Sequence, residues 1–176
     1  MPLKKPTELP KIPRTRKKKA QAALDAIPQK KPDKLEYNCK AFFKYDEKED
    51  KQLYVFAVET VAEFTSFVYQ ISVDVIKERK EIIIVLMGLK AMTNLAPKVQ
   101  PARTEIPFED LFGEYTVNVV KQDGSINTGI YKFNIYKKEI ELIKEFKPKK
   151  KNNRLFCKFL VAEEEFTFSP KPLIHS

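Results

Sequence analysis

The strongest constraint on this chain is a period of two in its apolar residues. Residues 67–75 place Phe67, Tyr69, Ile71, Val73 and Val75 on one face, against Val68, Gln70, Ser72 and Asp74 on the other. Only a pleated strand carries successive side chains to opposite faces, so such a stretch reads as strand with one buried side. The same pattern recurs in residues 37–45, with Tyr37, Cys39, Ala41, Phe43 and Tyr45 in phase. It returns in 113–121 with Tyr115, Val117 and Val119, and in 130–138 with Tyr131, Phe133 and Ile135. Residues 155–162 repeat it with Leu155, Cys157, Phe159 and Val161, and 165–168 give a last short strand carrying Phe166 and Phe168. LYVFAVETV at 53–61 is a further strand, and IIIVLMGL at 82–89 is apolar on both faces, as a central strand would be. EIELIKEF at 139–146 fits either a strand or a short helix, and the stretch around Pro97 and Pro101 reads as a surface loop.

Eight to ten strands joined by charged turns predict an all-β fold, a mostly antiparallel sandwich. Four glycines in 176 residues leave too few for the tight corners of a barrel. The Asp123-Gly124 pair between two strands is a hairpin-turn signal.

Charge divides the chain. Residues 1–34 hold eleven Lys or Arg against three acids, a net +8, whereas the remaining residues hold 22 against 21, a net +1. Six of the twelve prolines also fall in the first 34 residues. Proline has no amide proton and biases the preceding residue away from helix, so this segment is expected to be extended or disordered. Residues 17–27, rich in helix formers, are the exception, a short helix given a partner surface. The expected organisation is a basic tail at 1–34, a sandwich body at 35–169 and a C-terminal tail at 170–176. The tail has no apolar core or small-residue cleavage site of a secretory signal, and no apolar run is long enough to span a membrane. An intracellular compartment, cytoplasmic or nuclear, is expected.

Residues 110–121, DLFGEYTVNVVK, followed by a DG hairpin and IYKFNIY, resemble the end of an immunoglobulin-like domain. There a Gly-x-Tyr-x-apolar run opens a late strand, and its tyrosine closes a corner against the backbone. The resemblance implies that role for Tyr115, with Val117 where such domains often carry a disulfide cysteine. The chain has no Trp. The likeness speaks to architecture and leaves function to the site.

Catalytic chemistry finds few reagents. The one histidine, His175, stands next to the C-terminus, a poor place for a general base that must be held rigidly. Cys39 and Cys157 sit in the apolar phase of two strands, as buried free thiols or as one bridge. The acidic runs at 46–50 and 163–165 read as solvated turns, the first lacking the glycine of a calcium loop. No glycine cluster exists to cradle phosphate, so neither a cofactor nor an enzymatic activity is expected.

The positive signal is cationic. Arg14, Arg16, Lys17, Lys18 and Lys19 form one patch, and Lys149, Lys150, Lys151 and Arg154 form another. Such groups attract polyanions through counterion release. The expectation is a non-catalytic structural or assembly subunit that docks a sandwich on a larger protein or ribonucleoprotein assembly and threads its tail along an anionic or protein partner. The alternative is a protein that grips the RNA or DNA backbone with the tail and the 147–154 loop.

Overall fold

The computed structural model describes residues 18–19 and 31–171. Lys18 and Lys19 are helical and exposed; the other residues of the expected tail and helix up to residue 30, and residues 172–176, lie outside the described residues. The body, from Pro32 onward, is all-β. Its strands are β1 (Tyr37–Asp46), β2 (Lys51–Phe64), β3 (Val68–Glu78), β4 (Glu81–Met92), β5 (Gln100–Phe108), β6 (Gly113–Lys121), β7 (Ile126–Asn134), β8 (Glu139–Phe146) and β9 (Cys157–Val161). They form a four-stranded sheet of order β5-β2-β1-β9 and a five-stranded sheet of order β3-β4-β6-β7-β8.

Five of the pairings are antiparallel, and β1–β9 and β4–β6 are parallel. The alternating stripes meet in one core between the sheets. Cys39, Ala41 and Phe43 of β1 face inward with Tyr54, Phe56 and Val58 of β2. Ile82, Ile84 and Leu86 of β4, Val117 and Val119 of β6, and Tyr131 and Phe133 of β7 close on them from the other sheet. Rings dominate the centre: Phe133 packs against Phe43, Tyr54, Phe56, Tyr115 and Tyr131, mostly edge to face.

The sandwich is closed along both sides by side chains rather than by strand pairing. On one side the Thr104 hydroxyl of β5 accepts the Ile71 amide proton at 2.9 Å and donates to the Ile71 carbonyl of β3. On the other, the Glu145 carboxylate of β8 accepts the Phe159 amide proton of β9 at 3.0 Å. Beneath that second seam Gly129 lies directly under the Phe159 ring, where a Cβ would stand 2.5 Å from Cδ1.

Several expectations are corrected. Residues 100–108 form β5, not loop, with Pro101 and Pro107 inside the strand. As an outer strand it pairs only with β2, and proline is tolerated where no amide is owed to a second neighbour. Residues 139–146 are strand, resolving the helix alternative. β4 is central, between β3 and β6, yet only Ile82, Ile84 and Leu86 are buried, and Met87 and Leu89 are exposed. Phe67 and Val75, in phase with Ile71, are exposed too. Leu155 is exposed although in phase with Cys157 and Phe159, because the strand begins only at Cys157.

Residues 166–168 do not join a ladder. A 3₁₀ turn at Glu163–Glu165 interrupts the chain. Beyond it the Thr167 amide donates to the Phe43 carbonyl at 2.9 Å and the Tyr45 amide to the Thr167 hydroxyl at 2.8 Å. Phe166 and Phe168 pack against the Phe43 ring.

Candidate anionic-partner interface

One end of the sandwich collects three segments: the approach to β1 (residues 33–36), the β6–β7 turn (residues 122–125) and the β8–β9 connection (residues 147–156). Local chemistry shapes each. In the β6–β7 turn the Asp123 carboxylate accepts the Ser125 amide proton at 2.9 Å, and Gly124 takes φ +87°, which favours glycine. In the β8–β9 connection Asn153 is the anchor. Its amide nitrogen donates to the Pro148 and Ile126 carbonyls at 2.7 and 2.9 Å, and its oxygen accepts the Ile126 amide proton at 2.8 Å. Lys150 donates to the Gly124 carbonyl, binding this turn to the neighbouring one.

A second asparagine carries the chain from the connection into β9. Asn127 is fully buried on β7; its Oδ1 accepts the amide protons of Phe156 and Cys157, each at 2.8 Å. Its Nδ2 donates to the carbonyls of Arg154 and Ile126 at 2.9 and 2.8 Å. The approach to β1 is tied to the same segment. The Lys34 amide donates to the Leu155 carbonyl at 3.0 Å, and the Leu155 amide donates to Asp33 Oδ1 at 2.8 Å.

The four basic residues expected in this region part company. Lys149, Lys150 and Lys151 are exposed on the turn. Arg154 is 2% exposed and points into the protein. Its Nη2 stands 3.1 Å from Glu36 Oε2 and 3.4 Å from Asp123 Oδ2, and the guanidinium covers the Phe156 ring. Its charge is committed to these carboxylates, so it braces the lysine turn rather than presenting itself to a partner. Of the other expected contacts, Lys18 and Lys19 are exposed, and Arg14, Arg16 and Lys17 lie outside the described residues.

Three lysines not singled out from the sequence belong to the same end. Lys121 pairs with Glu36 at 2.5 Å and Lys147 with Asp33 at 3.5 Å, and Lys34 is exposed beside them. Lys34 was legible as part of the basic tail and Lys147 as part of the basic loop. Nothing local marks Lys121, which closes an ordinary strand. The end as a whole presents more cations than carboxylates, and its carboxylates are engaged.

Glu36 and Asp123 record that engagement. Burial pushes both carboxyls up, but the opposing contacts win. Hydrogen bonds from Lys121 and Arg154 hold Glu36 below its ordinary range, and those from Ser125, with the nearby Lys121 and Arg154 charges, do the same for Asp123. A carboxylate whose folded pKa is depressed adds stability above its unfolded pKa, near 4, and loses it as pH falls through the folded value. Thermal midpoints followed against pH are therefore expected to hold through the neutral range and to decline below about pH 4. Arg154→Met should make that decline shallower. At neutral pH the same substitution is expected to change stability by no more than about 1 kcal/mol, because the carboxylates left behind are partly exposed and can be solvated. The Arg154 Nε is buried without a partner, and both carboxylates are about a third exposed, with Glu36 keeping Lys121. A loss of several kcal/mol would mean the guanidinium is an essential brace.

The remaining chemistry is spare. Cys39 and Cys157 are free and buried, and burial pushes the Cys39 thiol up to about 12 and the Cys157 thiol upward as well, so neither is a nucleophile at neutral pH. Glu165 of the second acidic run pairs with Arg103, and Asp50 of the first with Lys171. Among the described residues no group of three or more His, Cys, Asp or Glu could hold a metal ion, and no helix is long and apolar enough to cross a membrane. No protein-family model, no curated protein and no solved structure matches the chain.

Proposed function

We propose that this chain is a non-catalytic structural or assembly subunit: an immunoglobulin-like sandwich docks on a larger intracellular assembly, and residues 1–34 run along an anionic or protein partner. One observation carries the reading. The body is close to neutral, with 22 basic and 21 acidic groups in residues 35–176, yet the end where the +8 segment joins it carries the exposed run Lys149–Lys151. An arm and a patch of one sign suit a single extended partner of the other sign. The immunoglobulin-like reading has its support in Tyr115, which opens β6 with its hydroxyl 3.4 Å from the Phe112 amide nitrogen.

Fractionated by mass from cells that make it, the full chain is expected to run with a larger complex. A chain beginning at Leu35 is expected to run free. A truncated chain that joins the complex with full affinity would overturn the reading.

The nucleic-acid alternative draws on one feature, three consecutive exposed lysines at 149–151. It is decided by titrating full-length protein with labelled RNA and duplex DNA between about 50 and 200 mM salt. Each phosphate contact contributes about 0.9 to the log–log salt slope. If the turn grips phosphate, replacing all three lysines by serine lowers the slope by about 2 to 3. No retention of either polymer leaves the assembly reading in place.

A further inference from the structure

We infer that the basic end carries a docking groove for a partner segment whose apolar anchor residues are flanked by aspartates or glutamates. The inference rests on the assembly reading and names the chemistry of the partner.

Two hollows flank Leu35. One, of about 310 Å³, lies between the outer edges of β8 and β9, floored by Cys157 and Phe159 and walled by Leu35, Phe146 and Leu155. The other, of about 340 Å³, lies on the far side of Leu35 among Tyr37, Val61, Phe64 and Leu89. Leu35 lines both, so they form one apolar track across the end of the sandwich. The side chains along it are exposed: Leu35 is 41% exposed, Val61 50% and Leu89 44%. Isolated exposed apolar residues are ordinary, but a continuous run of them on a folded surface marks an interaction site.

The rim specifies the sign of the partner. Lys34 and Lys121 border one hollow and Lys158 the other, and the lysine turn stands beside Leu155. Of the carboxylates beside the track, Glu36 is paired with Lys121 and Arg154 and Asp123 with Arg154, and Glu145 accepts the Phe159 amide proton. Among the described residues Lys34, Lys149, Lys151 and Lys158 have no carboxylate partner. An incoming carboxylate therefore meets cations not yet neutralised while its neighbouring apolar side chain covers Leu35. The track mixes leucine and valine side chains with phenylalanine rings, a surface that suits leucine or phenylalanine anchors. Apolar anchors in pockets with a charged rim are the usual anatomy of a peptide groove.

The test selects a display library of random 16-residue peptides on the full-length protein, then measures the winners by fluorescence anisotropy. Enriched peptides are expected to carry Leu, Ile or Phe among Asp and Glu. Leu35→Ser combined with Val61→Ser is expected to weaken them at least tenfold. Both positions are exposed, so an unchanged thermal midpoint separates lost binding from lost folding. Lys34→Ser with Lys158→Ser is expected to weaken binding several-fold and to flatten its salt dependence. Peptides that bind the Leu35 and Val61 variant with full affinity overturn the groove and leave the assembly reading standing. Failure to enrich any acidic-apolar sequence also overturns the groove. If the full chain in that case also runs free of any larger complex when fractionated by mass, the assembly reading falls with it.

Discussion

Replacing Asn127 by leucine is expected to lower stability by about 4 kcal/mol, one of the largest losses from a single substitution in this protein. Asn127 is a shape-matched polar bridge in a place where strands cannot pair. β7 and the start of β9 belong to different sheets, and between them the amides of Phe156 and Cys157 and the Arg154 carbonyl would be buried without partners. The side-chain oxygen takes two amide protons, from Phe156 and Cys157, and the side-chain nitrogen serves the Arg154 carbonyl. Leucine keeps the branching at Cγ but its methyls are bulkier than the amide oxygen and nitrogen, so crowding adds to the loss of the hydrogen bonds. Each buried donor left unmet costs about 1 to 3 kcal/mol, and two are left at once. Chemical denaturation at neutral pH measures it. Hydrogen exchange localises it: the amides of Phe156 and Cys157 should lose protection before those of β6. A loss under about 1 kcal/mol would mean water enters and takes over the bridge.

The second large effect lies two residues along the same strand. Gly129→Val is expected to cost about 3 kcal/mol, the upper part of the range for overfilling a packed core. A Cβ there would stand 2.5 Å from Phe159 Cδ1 and 2.7 Å from Cγ, closer than atoms in folded proteins approach. Neither partner has room to yield, since Phe159 is itself buried and also packs on Tyr131. For a body of this size the loss corresponds to a fall of about 10 °C in thermal midpoint. The diagnostic is the pair. Phe159→Leu removes ring atoms and leaves a void above Gly129, so alone it also destabilises. Combined with Gly129→Val it should lose less than the sum of the two, by about 1 kcal/mol or more. Additive effects would show that the backbone, not the ring, resists the new side chain.

These positions show which parts of the structure were legible in the sequence. The inward faces of β1, β6 and β7 were, because the apolar period repeats without interruption and each face meets a full partner sheet. β5 was hidden by Pro97 and Pro101, which mark a loop, and a proline such as Pro101 would remove a needed hydrogen bond in a central strand. Its outer position removes that need, and position in a sheet is a property of the whole fold. The two parallel pairings were also hidden, since alternation is the same in either direction. In the site, the lysine turn was legible as a charge run, and Leu35 and Val61 were not: an apolar residue before a strand reads as core until the covering layer is seen to stop short of it. Arg154 looked identical in kind to Lys149–Lys151. Its carboxylate partners, Glu36 and Asp123, are 118 and 31 residues away in the chain, so no local pattern announces the pair.

The two seams have a consequence for the behaviour of the protein in concentrated solution. A sheet with bare edges is a template on which further chains can add strands, and β-rich proteins ordinarily guard against this with charge, bulges or short edge strands. Here Thr104 meets the β3 backbone at Ile71 and Glu145 meets the β9 backbone at Phe159, so the edges face one another in pairs. At Ile71 and at Phe159 one side chain each takes up the strand backbone that an added strand would use. Removing either hydroxyl or carboxylate would free a length of strand edge. Thr104→Val keeps the shape and deletes the bond, and is the variant in which growth of cross-β aggregates should first be sought.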